Sequence, residues 1–367
     1  MSRRIVFKSE RSKVLPRTLF VGWGGTDGVT WYRSILPARS LNTDYVVFGT
    51  NGKEVVRDCV TTDHELIIVQ SCWYEWQRKL VRNMQRENAR VIFNVDDWIA
   101  GIGRLDGSHS FSDFFKSSRV VEAHLRLLDA ADGLLVSTEW LQRRLSGFNS
   151  NTEIARNLLD GARYDVPAVE RDAGCLIGWA GGTGHTEALL SLREPLQSVL
   201  SEHKNTMFVC MGDDTAIGGL GLKREQVAYL PWSDHYLYPR DMACFDIGLA
   251  PAVDNDFYRA KSQLRFYEGA SLGIPMVASP LYSEIQHGLT GFIANSTDEW
   301  RQYIDRLLDD DGLRVAVGER AREWAMDNVW AGSKRNYEWE SALLNLYDNA
   351  GDRRPTFHGM TTAKYKF

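Results

Sequence analysis

The chain has 367 residues, 44% hydrophobic and 25% charged, with a net charge of −5, so it exceeds one ordinary core and reads as a globular α/β protein of two domains. No apolar run approaches the length of a membrane span and residues 1–17 contain no apolar secretion segment, so a cytoplasmic protein is expected. Five cysteines, odd in number, widely spaced and without a CxxC pair, argue for reduced thiols and against a zinc site or a disulfide framework.

Residues 1–17 read as a polar arm in which residues 5–7 can form a short extra strand. A strand is predicted at residues 18–23, followed by GGTDGVTWYRSILPARSL. Glycines at 22, 24, 25 and 28 between a strand and a helix let backbone amides approach a ligand closely. Asp27 occupies the last place of a GxGxxG pattern, so the loop departs from the dinucleotide-binding fingerprint, and a plain tight turn is the alternative. Strands follow at residues 45–49 and 65–70, then a helix over residues 73–88. Arg78, Arg82, Arg86 and Arg90 recur every four residues with Lys79 beside them. Such a ridge suits an anionic backbone or membrane surface, but the flanking acids and missing aromatic residues favour a solvated face.

The strand at residues 90–95 runs into Asp96, Asp97 and Trp98. Carboxylates at the carboxyl end of a buried strand point toward a cleft in open α/β sheets; the alternative is a turn with a helix N-cap. His109, in the polar loop beyond, is a weaker candidate. A helix over residues 111–129, a strand at 133–137 and a helix opening at Thr138 make another α/β pass, and residues 153–155 and then Asn157 resemble the strand and Asn with which a first domain of this kind closes. Residues 161–174 read as a linker. The first 160 residues hold 22 Lys/Arg against 19 Asp/Glu, which leaves 21 against 29 for the rest of the totals of 43 and 48.

The second domain opens with a strand at residues 175–179, then Ala180, Gly181, Gly182, Thr183, Gly184 and His185, and a helix over 186–201. The amides around Gly181 and Gly182 can form a nest for a distal phosphate or a sugar; His185 is either a ligand or a helix-start residue. Strands follow at 207–211 and 227–230, the latter ending at Pro231 and Trp232, which is either a ligand wall or core. The next stretch is DNDFYRAKSQLRFYEGASLGIPMVAS, residues 254–279. It predicts a helix with Lys261 and Ser262 in its first turn, stopping at Gly273 before a buried strand. On that helix Lys261, Arg265 and Glu268 share one face over about 10 Å of axis. A helix N-terminus with a Lys and a hydroxyl suits a phosphate, and a carboxylate two turns on can accept hydrogen bonds from a ribose diol. A solvated, salt-bridged face is the alternative. Two amphipathic helices from Thr297 and Gly312, and a last helix over 333–347 with Trp339, Leu343, Leu346 and Tyr347 on one side, complete the chain.

The run KSQLRFYEGASLGIPMVAS behind DIGLAP at residues 246–251 resembles the second half of family-4-like retaining glycosyltransferases (glycosyltransferase group 1). The resemblance implies the GT-B fold: two Rossmann-like domains whose parallel sheets face across a cleft, with a C-terminal helix crossing back to the first. It divides the chain into an acceptor-side domain at 1–160, the linker at 161–174, a nucleotide-sugar domain at 175–330, the crossover helix at 331–350 and a basic tail at 351–367. It implies diphosphate binding by Lys261 and ribose binding by Glu268. Gly24 and Gly25 would lie across the cleft, Gly181, Gly182 and His185 would face the donor, Trp232 would seat the nucleobase, and Asp97 would lie near the sugar or acceptor. Tyr32, Arg33, Pro37 and Leu41 look like the YR, P and L positions of some members. One departure stands out: many members carry a second Glu earlier, where this chain has Ala260.

The expected activity is transfer of a sugar from a UDP-, GDP- or similar nucleotide sugar, with retention of configuration. Lys261, Ser262, Arg265 and the helix end stabilise the leaving diphosphate, and no metal or other cofactor is required. Sequence leaves the acceptor open among a glycan, a lipid-linked sugar, a protein or a modified nucleic acid. Two alternatives keep the fold: a nucleotide-sugar epimerase or phosphorylase, and a non-catalytic nucleotide-sugar-binding protein.

Overall fold

The computed structural model describes residues 6–7, 15–23, 28–48, 63–70, 81–85, 89–99, 117–167 and 174–350. Gly24, Gly25, Asp27, Arg78, Lys79, Arg86, His109 and the tail at 351–367 therefore lie outside the described residues.

Two sheets are built from strand and helix alternation. The first contains β1 (Val6–Phe7), β2 (Thr18–Trp23), β3 (Asp44–Phe48), β4 (Leu66–Gln70), β5 (Arg90–Val95), β6 (Gly133–Val136) and β7 (Thr152–Ile154), in the order β1-β3-β2-β4-β5-β6-β7. Its pairings are parallel except for β1, which runs antiparallel to β3 at the edge. The second contains β8 (Cys175–Gly181), β9 (Thr206–Gly212), β10 (Val227–Pro231), β11 (Ile247–Ala250), β12 (Met276–Ala278) and β13 (Gly291–Ile293), all parallel, in the order β10-β9-β8-β11-β12-β13. Parallel strands are covered on both faces, and the LIIVQ of β4 and most of RVIFNV in β5 are accordingly buried along their length. Strand order reverses between β2 and β4 and between β8 and β11, and the chain leaving the carboxyl ends at such a reversal frames a crevice.

Two predicted elements differ. The helix expected over residues 186–201 is two, Thr186–Leu190 and Arg193–Glu202, parted at Ser191 and Leu192. The segment expected to be a plain linker holds a helical turn, Gly161–Tyr164, whose Tyr164 is buried.

The last helix, Lys334–Asn349, returns to the first sheet. Trp339, Ala342, Leu343 and Leu346 are buried among Phe20, Leu66, Ile68, Ile92 and Leu135 of β2, β4, β5 and β6. The Trp339 ring lies tilted 6.2 Å from that of Phe20, and its indole N–H donates to the Arg156 carbonyl at 2.8 Å. Arg90 does not belong to a free basic ridge, because its Nε donates to the Tyr347 carbonyl at 2.9 Å and its guanidinium covers the Tyr347 ring. Since a late segment fills the core of the first lobe, Trp339→Ala is expected to cost that lobe about 3–5 kcal/mol. The expected signature is loss of hydrogen-exchange protection in β2, β4 and β5 while β8, β9 and β11 keep theirs.

Candidate functional site

A cleft of about 550 Å³ opens where the carboxyl ends of β8 and β11 meet those of β2 and β5. Asp97, Gly181, Gly182, His185, Trp232, Lys261, Ser262, Arg265 and Glu268 all line it, together with Gly28, Val29 and Tyr32 from the first lobe.

Lys261 does not lie in the first turn of the helix that carries Glu268. A short helix, Asp256–Ala260, comes first, capped by Asn255 Oδ1 accepting from the Tyr258 amide. Lys261 ends it in an extended conformation, φ −66° and ψ 140°, and the next helix is Leu264–Ser271 with Gln263 at its N-cap. Sequence periodicity ran the two together because the break at Ser262 and Gln263 contains neither glycine nor proline. The three side chains still reach one cleft, since the extended link turns Lys261 inward.

Lys261 Nζ lies 2.6 Å from Asp97 Oδ1, across the gap between the lobes, and 4.7 Å from the Phe257 ring centroid. Beside it, Asn157 Nδ2 donates to Ser262 Oγ at 2.9 Å, and Asn157 Oδ1 accepts from Arg33 Nη1 at 2.9 Å. Arg33 is fully buried; it also donates to Asn94 Oδ1 and to the Ala155 carbonyl, and burial pulls its guanidinium down to about 10. Asp96, next to Asp97, has a buried Oδ1 without a hydrogen-bond partner among the described residues. Burial raises its carboxyl above the ordinary range, with the Arg33 charge opposing. Ala260, at the place where many members of the resembling family have a Glu, is fully buried within the apolar cluster of the first lobe.

On the second lobe, Arg265 Nε donates to the Ala180 carbonyl at 2.9 Å and Nη1 to the Tyr282 hydroxyl at 3.2 Å. Arg265 passes so close to Gly181 that a Cβ there would sit 2.8 Å from Nη2 and 2.6 Å from the Trp179 ring, so the glycine is required by approach distance. His185 is not a cation: burial, then the neighbouring Arg265 and Lys261 charges, hold its imidazole well below the ordinary range. Its Nδ1 faces the Tyr258 hydroxyl at 3.3 Å. Trp232 is not core; it is 58% exposed and stands over Gly182 and Gly212 at the mouth of the cleft.

Glu268 is buried, at 6% exposure, and its environment was the least visible from sequence. Its Oε1 accepts from the Tyr32 hydroxyl at 2.7 Å, and its Oε2 from the Tyr238 hydroxyl at 3.2 Å. Tyr164 stands behind Tyr32 with the two hydroxyls 3.2 Å apart. Burial pushes the Glu268 carboxyl up to about 7, although the hydrogen bonds from Tyr32 and Tyr238 and the Arg265 charge pull the other way. Tyr32 was noted in the sequence only as one letter of a motif, and Asn157 only as the close of a domain. Tyr164 and Tyr238 carried no signal of their own.

Among the described residues no group of three or more His, Cys, Asp or Glu side chains is placed to hold a metal ion, and no helix is long and apolar enough to cross a membrane.

No family model matches the chain. The D-inositol 3-phosphate glycosyltransferase of Corynebacterium jeikeium is 25% identical over 279 residues, covering 65% of this chain and 64% of that one. The enzyme of the same name from Corynebacterium kroppenstedtii is 29% identical over 126 residues, 32% of this chain and 26% of its own. The chain thus spans less than two thirds of the length of these curated relatives. Among solved structures, Anabaena HepE in complex with UDP and glucose superposes with a TM-score of 0.62 at 14% identity, covering 90% of this chain and 99% of that one. Sucrose-phosphate synthase from Thermosynechococcus elongatus does so with a TM-score of 0.62 at 12% identity, covering 90% and 98%. These likenesses establish the GT-B fold, and the sequence resemblance to group 1 glycosyltransferases agrees with both curated relatives.

The Glu268 carboxyl gives a signed expectation for stability. Its value in the folded chain, about 7, exceeds the ordinary 4.5, so the folded state holds the proton more tightly and stability falls as pH rises from 4.5 to 7. Glu268→Gln should match the wild-type chain at pH 4.5 and exceed it by up to about 3 kcal/mol at pH 8. Chemical denaturation across that range measures the gap; a gap that stays flat with pH contradicts the assignment.

Proposed function

We propose that the chain is a retaining, metal-independent glycosyltransferase that moves a sugar from a nucleotide-sugar donor to an acceptor. The observation that carries this reading is the meeting of Lys261, Arg265 and Glu268 in one cleft at the strand-order reversal of the second sheet. Each part of a nucleoside diphosphate then has a counterpart. Lys261 Nζ and the opening of helix Leu264–Ser271 receive the diphosphate; the Gln263 side chain bonds to Ser283 and Glu284 and does not cap the helix amides. The nest at Gly181 and Gly182 takes its distal end together with the transferred sugar. Glu268 receives the ribose diol, and Trp232 offers an exposed ring to the base.

The chemistry asked of the protein is charge stabilisation as the bond from sugar to diphosphate breaks. Lys261 supplies a full charge, and Arg265, held against Ala180 and Tyr282, supplies a second one fixed in direction. With the leaving phosphate itself taking the acceptor proton on the same face, configuration is kept and no protein nucleophile is needed. Asp97 lines the cleft from the first lobe, already paired with Lys261 at 2.6 Å. A diphosphate that draws Lys261 away frees Asp97 to accept a hydrogen bond from the incoming acceptor hydroxyl.

The donor is proposed to carry uridine, since Anabaena HepE is seen with UDP and with UDP-glucose. The curated relatives are named for an inositol phosphate, which makes phosphorylated polyols the first acceptor class to assay.

UDP at a hundredfold its dissociation constant should stabilise the wild-type chain by about 2.7 kcal/mol. Lys261→Ala should abolish that thermal shift and reduce transfer from UDP-glucose by at least about a hundredfold. A chain that melts identically with and without every UDP and GDP sugar has no donor site of this kind.

A further inference from the structure

Three tyrosines from three separate stretches converge on the Glu268 carboxylate. Tyr32 comes from the helical segment after β2 in the first lobe, Tyr164 from the turn Gly161–Tyr164 between the lobes, and Tyr238 from the second lobe. Tyr164 is buried, Tyr32 and Tyr238 are half-buried at the wall of the cleft, and Glu268 lines it with them.

The protons can be counted. An ionised carboxylate only accepts, and a tyrosine hydroxyl has one proton to give. Tyr32 gives its proton to Glu268 Oε1 at 2.7 Å, and Tyr164, 3.2 Å from the Tyr32 hydroxyl, has one proton to direct at Tyr32 or at Glu268 itself. Tyr238 spends its proton on Oε2 at 3.2 Å. A carboxylate has about four lone-pair positions. Tyr32 and Tyr238 fill two, which leaves at most about two for the hydroxyls of a cis-diol. If the carboxylate is protonated it gains one O–H donor and loses part of its acceptor capacity, so fewer lone pairs remain for a diol.

We propose that Tyr32 is a positioning residue for donor recognition, presented by the lobe opposite the one that carries the donor-binding residues. Its hydroxyl fixes Glu268 Oε1 so that the unfilled lone pairs face the donor's pentose. The grip on the pentose is therefore complete only while the lobes are together. This rests on the reading of Glu268 as the ribose acceptor given under the proposed function, and it adds a residue that contacts Glu268 from across the gap.

The groups facing Glu268 come from every element around it. They are Tyr32 from the first lobe, Tyr164 from the connecting turn, Tyr238 from the helix Tyr238–Met242, and Arg265 from its own helix. The nearby cations are committed elsewhere. Arg33 binds Asn94, Ala155 and Asn157, Arg163 stacks on Trp31 and Tyr236, and Arg322 donates to the carbonyls of Tyr164 and Ser271. Loss of the Tyr32 hydroxyl removes a donor to the charged form, so it disfavours ionisation and shifts the pH at which the carboxylate becomes available upward.

The experiment is calorimetric titration of UDP into the wild-type, Tyr32→Phe, Tyr238→Phe and Glu268→Gln chains between pH 5.5 and 8.5. Glu268→Gln supplies the baseline in which only UDP itself titrates. Relative to that baseline, wild-type affinity should rise through a step near pH 7. Tyr32→Phe should lower affinity at pH 8 by about tenfold and move the step up by about half a pH unit. Tyr238→Phe should move the step in the same direction, which keeps the comparison open should Tyr32→Phe fold poorly. A Tyr32→Phe profile that overlays the wild-type one, with UDP still bound, overturns this inference and leaves the donor reading standing. Failure of the wild-type chain to bind UDP or any nucleoside diphosphate overturns the donor reading and this inference with it.

Discussion

A carboxylate withdrawn from water raises the free energy of its ionised form, and Glu268 tolerates its position through hydroxyls that reach it from both lobes. Its 2.7 Å bond to Tyr32 joins two sheets that share no strand. Other contacts lie along the same seam. Lys261 meets Asp97, Ser262 meets Asn157, and the Thr138 hydroxyl donates to the Ala260 carbonyl. Each of these second-lobe partners falls between residues 260 and 268, the segment that lines the cleft, while Trp31 against His235 and Tyr236, and Arg156 against Glu284, join the lobes beside it.

Arg33 secures the other half of the seam. Its guanidinium donates to Asn94 at the end of β5, to the Ala155 carbonyl after β7, and to Asn157, which passes the contact on to Ser262. Its guanidinium also lies 4.7 Å from the Trp339 ring centroid. A buried cation without a carboxylate partner is costly unless its fork of donors is filled, and here the side-chain amide oxygens of Asn94 and Asn157 and the Ala155 carbonyl accept from it. The result is one rigid post that fixes two strand ends, the returning helix and the entry to Lys261.

Much of the fold was legible because parallel strands buried on both faces leave apolar runs bounded by turn residues. β5 was read to the residue, and β4, β9, β10 and β11 to within one or two at either end. The apolar stripe of the last helix was equally plain, since Trp339, Leu343 and Leu346 fall at helical spacing. What misled was local. Nothing in the sequence between Ala260 and Leu264 breaks a helix, whereas the Asn255 cap, which would have announced an earlier and shorter one, was absorbed into a loop. The site was legible as a set of residue types and illegible as a set of partners. Tyr32 lies 236 positions from Glu268, and Tyr238 lies 30 away. No periodicity connects them, and only the topology that brings β2 opposite β8 and β11 does so.

The returning helix has a consequence for how the molecule is made. The apolar face of β2, β4, β5 and β6 is covered by Trp339, Leu343 and Leu346, which emerge from the ribosome well after the strands they shield. Until they do, Trp31, Ile35, Leu36 and Leu41 from the first lobe cover part of that surface, and the part reserved for the last helix stays open while the second lobe is synthesised. Quality control during translation, and any product released early, would meet the first lobe as a half-roofed sheet.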